Sequence, residues 1–239
     1  MTVAENEDAN EDANGAESDI QGGRRAFRAA ILQVTLPHVA FDGWRPKALA
    51  AGAVDAGFAE IDAERAFPGG PVEAILLHSE LADRAMTEAF LTLDPPPART
   101  REKIAALIRI RLEGATGDRE AVRPGLGFLA RPHHAGAGLK ALARTADAIW
   151  RAAGDRSTDF NWYTKRALVS AVYMATVAYW LSDRSDGYAD TWSFLDRRID
   201  TALKAPMQIK SLAEKLKMLT PRPSRIASAL RRRRTAGNW

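Results

Sequence analysis

The sequence predicts an all-α fold, and three observations lead there. Apolar residues recur at helical spacing in one segment after another. Pro or Gly closes most of these segments. One long stretch, residues 154–181, passes from polar and aromatic to almost wholly apolar. At its start Ser157, Thr158 and Asp159 are each able to cap a helix beginning near Phe160, and Gly154 suits the end of a preceding helix. Between Ala167 and Leu181 only Ser170 and Thr176 break the apolar run. A helix apolar nearly all round is buried in a core or walls an apolar ligand. This one is too short and too closely flanked by charge to span a bilayer. Trp162 and Tyr163 fall in its first turn, where they either pack on the preceding helix or anchor a partner.

The chain has 239 residues, enough for one large helical domain with tails or for two small domains. It has no cysteine, which excludes disulfides, thiolate chemistry and cysteine-bound zinc. The formal net charge is +4, unevenly spread. Residues 1–23 carry Glu5, Glu7, Asp8, Glu11, Asp12, Glu17 and Asp19 with no Lys or Arg, and are expected to be a disordered acidic tail. Such a tail is unlike an Arg-rich mitochondrial presequence, and no signal peptide or transmembrane helix is evident. The expectation is a soluble protein of a bacterial cytoplasm. The predicted organisation is a tail (1–23), a helical domain (24–204) and a basic amphipathic segment (205–239).

In chain order, Phe27, Ile31, Leu32 and Val34 to Leu36 give a first helical face, expected to end near Pro37. A second helix runs from Trp44 to Ala56 and stops at Gly57; a third, capped by Asp62, runs from Ala63 to Phe67. Pro71 opens a long fourth through Ile75, Leu81, Met86 and Phe90. Two short helices separated by a Gly-containing turn make a helix-turn-helix arrangement. It resembles the N-terminal unit of TetR-type regulators, in which an aromatic–Pro pair follows the reading helix as Phe67–Pro68 does here. A helix that reads DNA needs cations for phosphates. This one carries Glu60, Asp62 and Glu64 against Arg65 alone, so the expectation is a helix-turn-helix fold that binds no nucleic acid.

After the stiff Asp94–Pro97 connection, residues 100–113 form an amphipathic helix, and residues 119–130 a helix broken or bent by Pro124 and two glycines. His133 and His134 have no carboxylate at ligand spacing, and no metal site is expected. Leu142, Ala146, Ile149 and Trp150 mark a helix over 139–153. A last core helix over 188–204 presents Trp192, Leu195, Ile199 and Leu203. Beyond Pro206, the apolar residues Ile209, Leu212, Leu216 and Leu219 alternate with cations including Lys215 and Lys217, and the run Arg231 to Arg234 follows. A basic amphipathic helix suits an anionic membrane surface; packing on its own subunit is the other reading.

The runs AGDRSTDFNWYTKRAL (153–168) and DTWSFLDRRI (190–199), with LPHVAFDGW, AFPGGPVEAI and ARPHH, resemble the signature of the ninth COQ protein family. These are accessory proteins of ubiquinone biosynthesis. The resemblance covers roughly residues 24–217, and STDFNWYTKR is its most specific part. It implies a TetR-like fold with an N-terminal helix-turn-helix unit, a larger C-terminal bundle and an extra C-terminal amphipathic helix. It also implies a homodimer, an isoprenoid lipid or quinone in an internal cavity, and no enzymatic activity or cofactor. The implied partner is the di-iron demethoxyubiquinone hydroxylase, met through Asp147, Ile149, Trp150, Asp159, Trp162 and Tyr163. Ile149 stands where the family pattern has Met. The cavity lining is expected to include Leu168, Val172, Met174 and Trp180, and the membrane helix corresponds to 206–219. The implied location is the inner face of the bacterial inner membrane. Two further classes stay open: a ligand-responsive TetR-type regulator, and a structural adaptor with a solid core.

Overall fold

A computed structural model of the chain describes residues 4–155 and 160–202, with side chains from residue 21 onward except 160 and 161. Every regular element among them is helical. The chain divides into two compact units, Met1–Asp196 and Arg197–Trp239. Residues 197–202 of the second unit are described, and they are helical. The break predicted at 204/205 falls within that unit.

The first helix, α1, spans Ala4–Asp42, which corrects two expectations. Residues 4–23 are helical rather than disordered. Their acidic composition argues against burying a face, but Ala and Glu favour helix, and extending an existing helix costs far less than nucleating one. Nor does α1 stop at Pro37: Val39 beyond it is buried, and the helix ends where Gly43 turns to φ +70°. Then α2 (Pro46–Asp55) and α3 (Ile61–Ala66) form the predicted helix-turn-helix pair. Gly57, at φ +83°, lets the Phe58 N–H reach back to the Ala53 carbonyl at 2.9 Å and ends α2. Ile31, Leu32, Val39, Leu49, Ala53 and Phe67 share one core across these three helices.

Gly52 sits where α2 presses on α1. A Cβ there would lie 2.0 Å from Thr35 Oγ1 and 2.9 Å from the Thr35 Cα. In an open helix Gly→Ala would stabilise by about 1 kcal/mol. Here the sign reverses: Gly52→Ala is expected to destabilise by about 1–3 kcal/mol through overpacking, read as an earlier denaturant midpoint at unchanged slope.

The larger bundle comprises α4 (Pro71–Leu91), α5 (Thr100–Glu113), α6 (Arg119–Leu129), α7 (Ala135–Ala152) and α8 (Phe160–Trp180). Helix α4 packs on α5 and α7, α7 packs on α8, and α6 bridges to α1. Of the two expectations for α6, broken or bent at Pro124, its continuity excludes the break. The bond that Pro124 cannot donate would go to the carbonyl of Glu120, an exposed residue. Helix α7 ends as the glycine predicted: Gly154 takes φ +92°, its N–H meets the Arg151 carbonyl at 3.0 Å, and the Asp155 N–H meets that of Trp150 at 2.9 Å. The end of α8 and the turn after it are served by α6: Arg119 donates to Trp180 O at 2.6 Å and Asp183 O at 2.8 Å, and Arg123 donates to Leu181 O.

A 3₁₀ turn (Asp186–Tyr188) leads into a helix that starts at residue 189. Asp183 organises this corner, accepting from the Ser185 N–H at 2.8 Å, the Thr191 N–H at 2.9 Å and the Thr191 hydroxyl. Burial pushes its carboxyl up, but these hydrogen bonds outweigh burial and hold it down at about 2. A depressed folded-state value means stability present above the unfolded value near 3.8 and lost as pH falls toward about 2. Asp183→Asn is therefore expected to remove part of the stability change between pH 4 and pH 2, seen by comparing thermal melts across that range.

Candidate functional site

Five helices and the α1–α2 corner line a partly open, largely apolar cavity of about 100 Å³. Ile75 of α4, Leu112 of α5, Leu126 and Leu129 of α6, Leu142 of α7 and Val177 of α8 make its greasy walls. Gly125 of α6 admits the Trp44 indole, whose Nε1 donates to the Ala121 carbonyl at 2.9 Å. A Cβ on Gly125 would lie 3.1 Å from that nitrogen.

One pole of the cavity is polar. Ser79, Arg111, Thr145 and Tyr173 reach it, and behind them lies a buried ion cluster. Asp83 accepts from Arg111 Nε at 2.9 Å, Thr145 Oγ1 at 2.9 Å and Arg144 Nε at 3.3 Å. The Arg111 fork also donates to the Ser79 carbonyl at 3.2 Å. Burial disfavours the Arg111 cation, but Tyr173 and Asp83 outweigh it and raise its pKa. Burial raises the Tyr173 pKa against the pull of Arg111. Trp180 is fully buried, and its Nε1 has no hydrogen-bond partner among the described residues.

Of the four lining residues expected from sequence, Met174 and Trp180 face the cavity. Leu168 and Val172 are not among its lining residues, and Val172 is buried elsewhere in the packing. Helix α8 is apolar nearly all round, as expected, but it is not buried all round: Ala167, Ala171 and Ala178 are exposed. Sequence reasoning placed the cavity along α8 alone. It missed Trp44, Ile75, Arg111, Gly125 and Leu142, for which the only signal was the run of small residues in α6 and α7.

The expected partner surface comes together only in part. Ile149 is fully buried and Trp150 nearly so, which corrects their assignment to a surface. Helical geometry explains it: at about 100° per residue, Ile149 points roughly 200° away from Asp147. Trp150 Nε1 donates to the Lys165 carbonyl at 2.9 Å, joining α7 to α8. Asp147 remains half-buried at the surface, bound by Arg166 Nε at 2.7 Å and Arg151 Nε at 2.6 Å. The Arg166 guanidinium lies 4.0 Å from the centroid of the Trp162 ring, and Tyr163 meets that ring edge-on at 4.7 Å. Tyr163 is 69% exposed. Asp159 lies outside the described residues, as do Ile209, Leu212, Lys215, Leu216, Lys217 and Leu219.

Helix α3 keeps its acidic character: its sole cation, Arg65, is engaged by Asp62 at 2.9 Å. His133 and His134 form an aromatic cluster in which His134 stacks on Phe128 at 4.6 Å. Desolvation, His133 and Arg131 each lower the His134 pKa. Among the described residues no three His, Cys, Asp or Glu side chains gather as metal ligands, and no helix is long and apolar enough to cross a membrane.

Comparisons with known proteins agree on fold and family. The solved structure of a TetR transcriptional regulator from Nitrosomonas europaea ATCC 19718 superposes with a TM-score of 0.58 at 22% identity, covering 74% of this chain and 97% of that one. The COQ9 family pattern matches residues 135–205. Mitochondrial ubiquinone biosynthesis protein COQ9 of Drosophila melanogaster is 30% identical over 203 residues, 83% of this chain and 62% of that protein. The Homo sapiens protein of the same name is 30% identical over 216 residues, 86% and 67% respectively. That of Schizosaccharomyces pombe is 30% identical over 175 residues, 73% and 69%. The chain thus spans about two thirds of the length of these relatives. With the resemblance extending over most of its length and the fold in agreement, the chain belongs to the COQ9 family of ubiquinone-biosynthesis proteins.

Proposed function

We propose that this protein is an accessory lipid-binding protein of ubiquinone biosynthesis, without chemistry of its own. It binds an isoprenoid quinone precursor and presents it to the demethoxyubiquinone hydroxylase at a membrane. The observation that carries this reading is the largely apolar cavity lined by α4 to α8. Late precursors have a long apolar tail that holds them in the bilayer, out of easy reach of a soluble hydroxylase. A protein that shelters apolar groups and docks the enzyme lowers that barrier. Residues 206–219 supply the membrane contact in this reading, on an anionic inner-membrane face. Asp147, Trp162 and Tyr163, with Asp159 beside them in sequence, supply the enzyme contact. The exposed face of α8 suits pairing of two copies as a homodimer.

Organic extraction of the purified full-length chain tests the reading. An isoprenoid lipid or quinone is expected by mass spectrometry, and is expected to be lost in Met174→Trp, which enlarges a side chain that lines the cavity. Repeated absence of any apolar ligand from the wild type overturns it. The TetR-type regulator is the competing reading, favoured by the helix-turn-helix pair. Arg65, held by Asp62 among further acids, speaks against it, since the helix offers phosphate no free cation. A salt-dependent gel shift on promoter DNA would reverse that judgement.

A further inference from the structure

Residues 121–146, from α6 into α7, carry Arg123, Arg131, Lys140 and Arg144 with no Asp or Glu. Other acid-free stretches borrow carboxylates from neighbouring elements. Arg25 and Arg28 of α1 take Glu80 and Glu73 of α4. Lys165 and Arg166 of α8 take Asp155 and Asp147. The α6–α7 corner borrows for Arg144 alone, from Asp83 at 3.3 Å. Arg123 meets only the Leu181 carbonyl, and Arg131 lies 4.8 Å from the centroid of the Phe128 ring. Neither of them, nor Lys140, forms an ion pair among the described residues. Glu120 lies one turn before Arg123 and bounds the cationic surface there.

The same corner presents apolar surface. Leu139 is 66% exposed, Ala130 and Pro132 are exposed, and Phe128 is half-buried. A Cβ on Gly138 would lie 3.2 Å from the Leu129 Cβ, so the first turn of α7 packs directly on the end of α6. That sets Leu139 and Lys140 in one corner with Phe128 and Arg131. Cations and apolar side chains exposed together fit an anionic lipid surface, where phosphates meet the cations and the apolar groups enter the interface. Nucleic acid would satisfy the cations but leave Leu139 in water. The Phe128 ring is not free to stack on a base either, because His134 stacks on it at 4.6 Å and Arg131 lies against it. We propose that the α6–α7 corner is a lipid-contact site of the folded helical unit. It binds a phosphate-bearing anionic membrane through Arg131 and Lys140, with Arg123 at its edge and Leu139 entering the interface. This rests on the membrane reading above and gives the folded unit a contact separate from residues 206–219.

Vesicle flotation of the full-length chain tests the site. Leu212→Asn with Leu216→Asn first removes the apolar side of residues 206–219, and every further change is made in that background. The background chain is expected to float with phosphatidylcholine vesicles that contain phosphatidylglycerol, and to stay behind with phosphatidylcholine alone. Arg131→Gln with Lys140→Gln is expected to weaken binding about ten- to thirtyfold, each cation near such a surface being worth roughly a factor of five. Leu139→Gln is expected to weaken it about three- to tenfold. Arg45→Gln with Lys47→Gln removes the same charge from exposed positions on the α1–α2 corner and is expected to leave binding unchanged. The substituted side chains of the folded unit are exposed, and thermal melts check that each variant folds. Equal loss from the two cation pairs would reduce the effect to net charge and overturn the site. Undiminished binding after Arg131→Gln with Lys140→Gln would overturn it too. Stronger binding of a single-stranded oligonucleotide, lost with that same pair, would overturn the choice of lipid. If the wild type floats and the background chain does not, the corner falls and the contact through residues 206–219 stands. If the wild type itself does not float, both fall.

Discussion

Replacing Asp83 by alanine is expected to lower the unfolding free energy by about 3–5 kcal/mol, because it strands a buried cation. The carboxylate is 6% exposed and Arg111 7%, and their contact at 2.9 Å is reinforced by the Thr145 hydroxyl and Arg144. Removing the acid leaves a guanidinium out of water with only the Ser79 carbonyl and hydroxyl to receive it. For a chain of this length the melting temperature should fall by about 6–20 °C. The paired change Asp83→Leu with Arg111→Met removes both charges at similar volume and should recover most of the loss. Thermal melts of the single and paired variants decide the matter. A single variant within about 1 kcal/mol of wild type would mean that water reaches Arg111 and screens it.

Trp162→Lys carries the largest expected effect on association. Aromatic residues flanked by an arginine are the usual energetic centres of interfaces, and losing one costs about 2 kcal/mol or more, a factor of roughly 30 in affinity. In the proposed reading Trp162 fills such a role, and its surroundings hold the ring in place: Arg166 lies 4.0 Å from its centroid, and Asp147 binds Arg166 at 2.7 Å. A lysine there loses the ring and puts a second cation beside Arg166. Pulldown of the hydroxylase should fail with Trp162→Lys while circular dichroism shows an unchanged helical fold. Unchanged capture would remove Trp162 from the docking surface. Tyr163→Ala, on the same exposed edge, should weaken capture in the same direction.

Legibility from sequence followed the physics of each feature. Helix order and helix ends were readable because they depend on local chemistry: Gly57 and Gly154 ended α2 and α7, and Pro71 opened α4. Neither proline ends its helix, for a common reason. A missing N–H ends a helix only where nothing else holds it; beyond Pro37 the buried Val39 does, and around Pro124 the buried Ala121 and Gly125 do. The site was legible only in outline. Trp162 and Tyr163 stood out because large aromatics are unusual at a polar helix start. Ile149 and Trp150 looked equivalent to Asp147 by proximity in sequence, but adjacent helical positions face different ways. The cavity could not be read from α8, since its walls come from residues as far apart as Trp44 and Trp180, and only packing brings those together.

The composition of α6 has a consequence for rates. One wall of the cavity is a helix containing Pro124, Gly125 and Gly127, joined to the end of α8 by two arginine side chains rather than by a deep apolar seam. A ligand that fits only with α6 displaced binds only the fraction of molecules in which that helix has moved, and its apparent dissociation constant is the intrinsic one divided by that fraction. For such a ligand loading and release share a single clock, the opening frequency of α6.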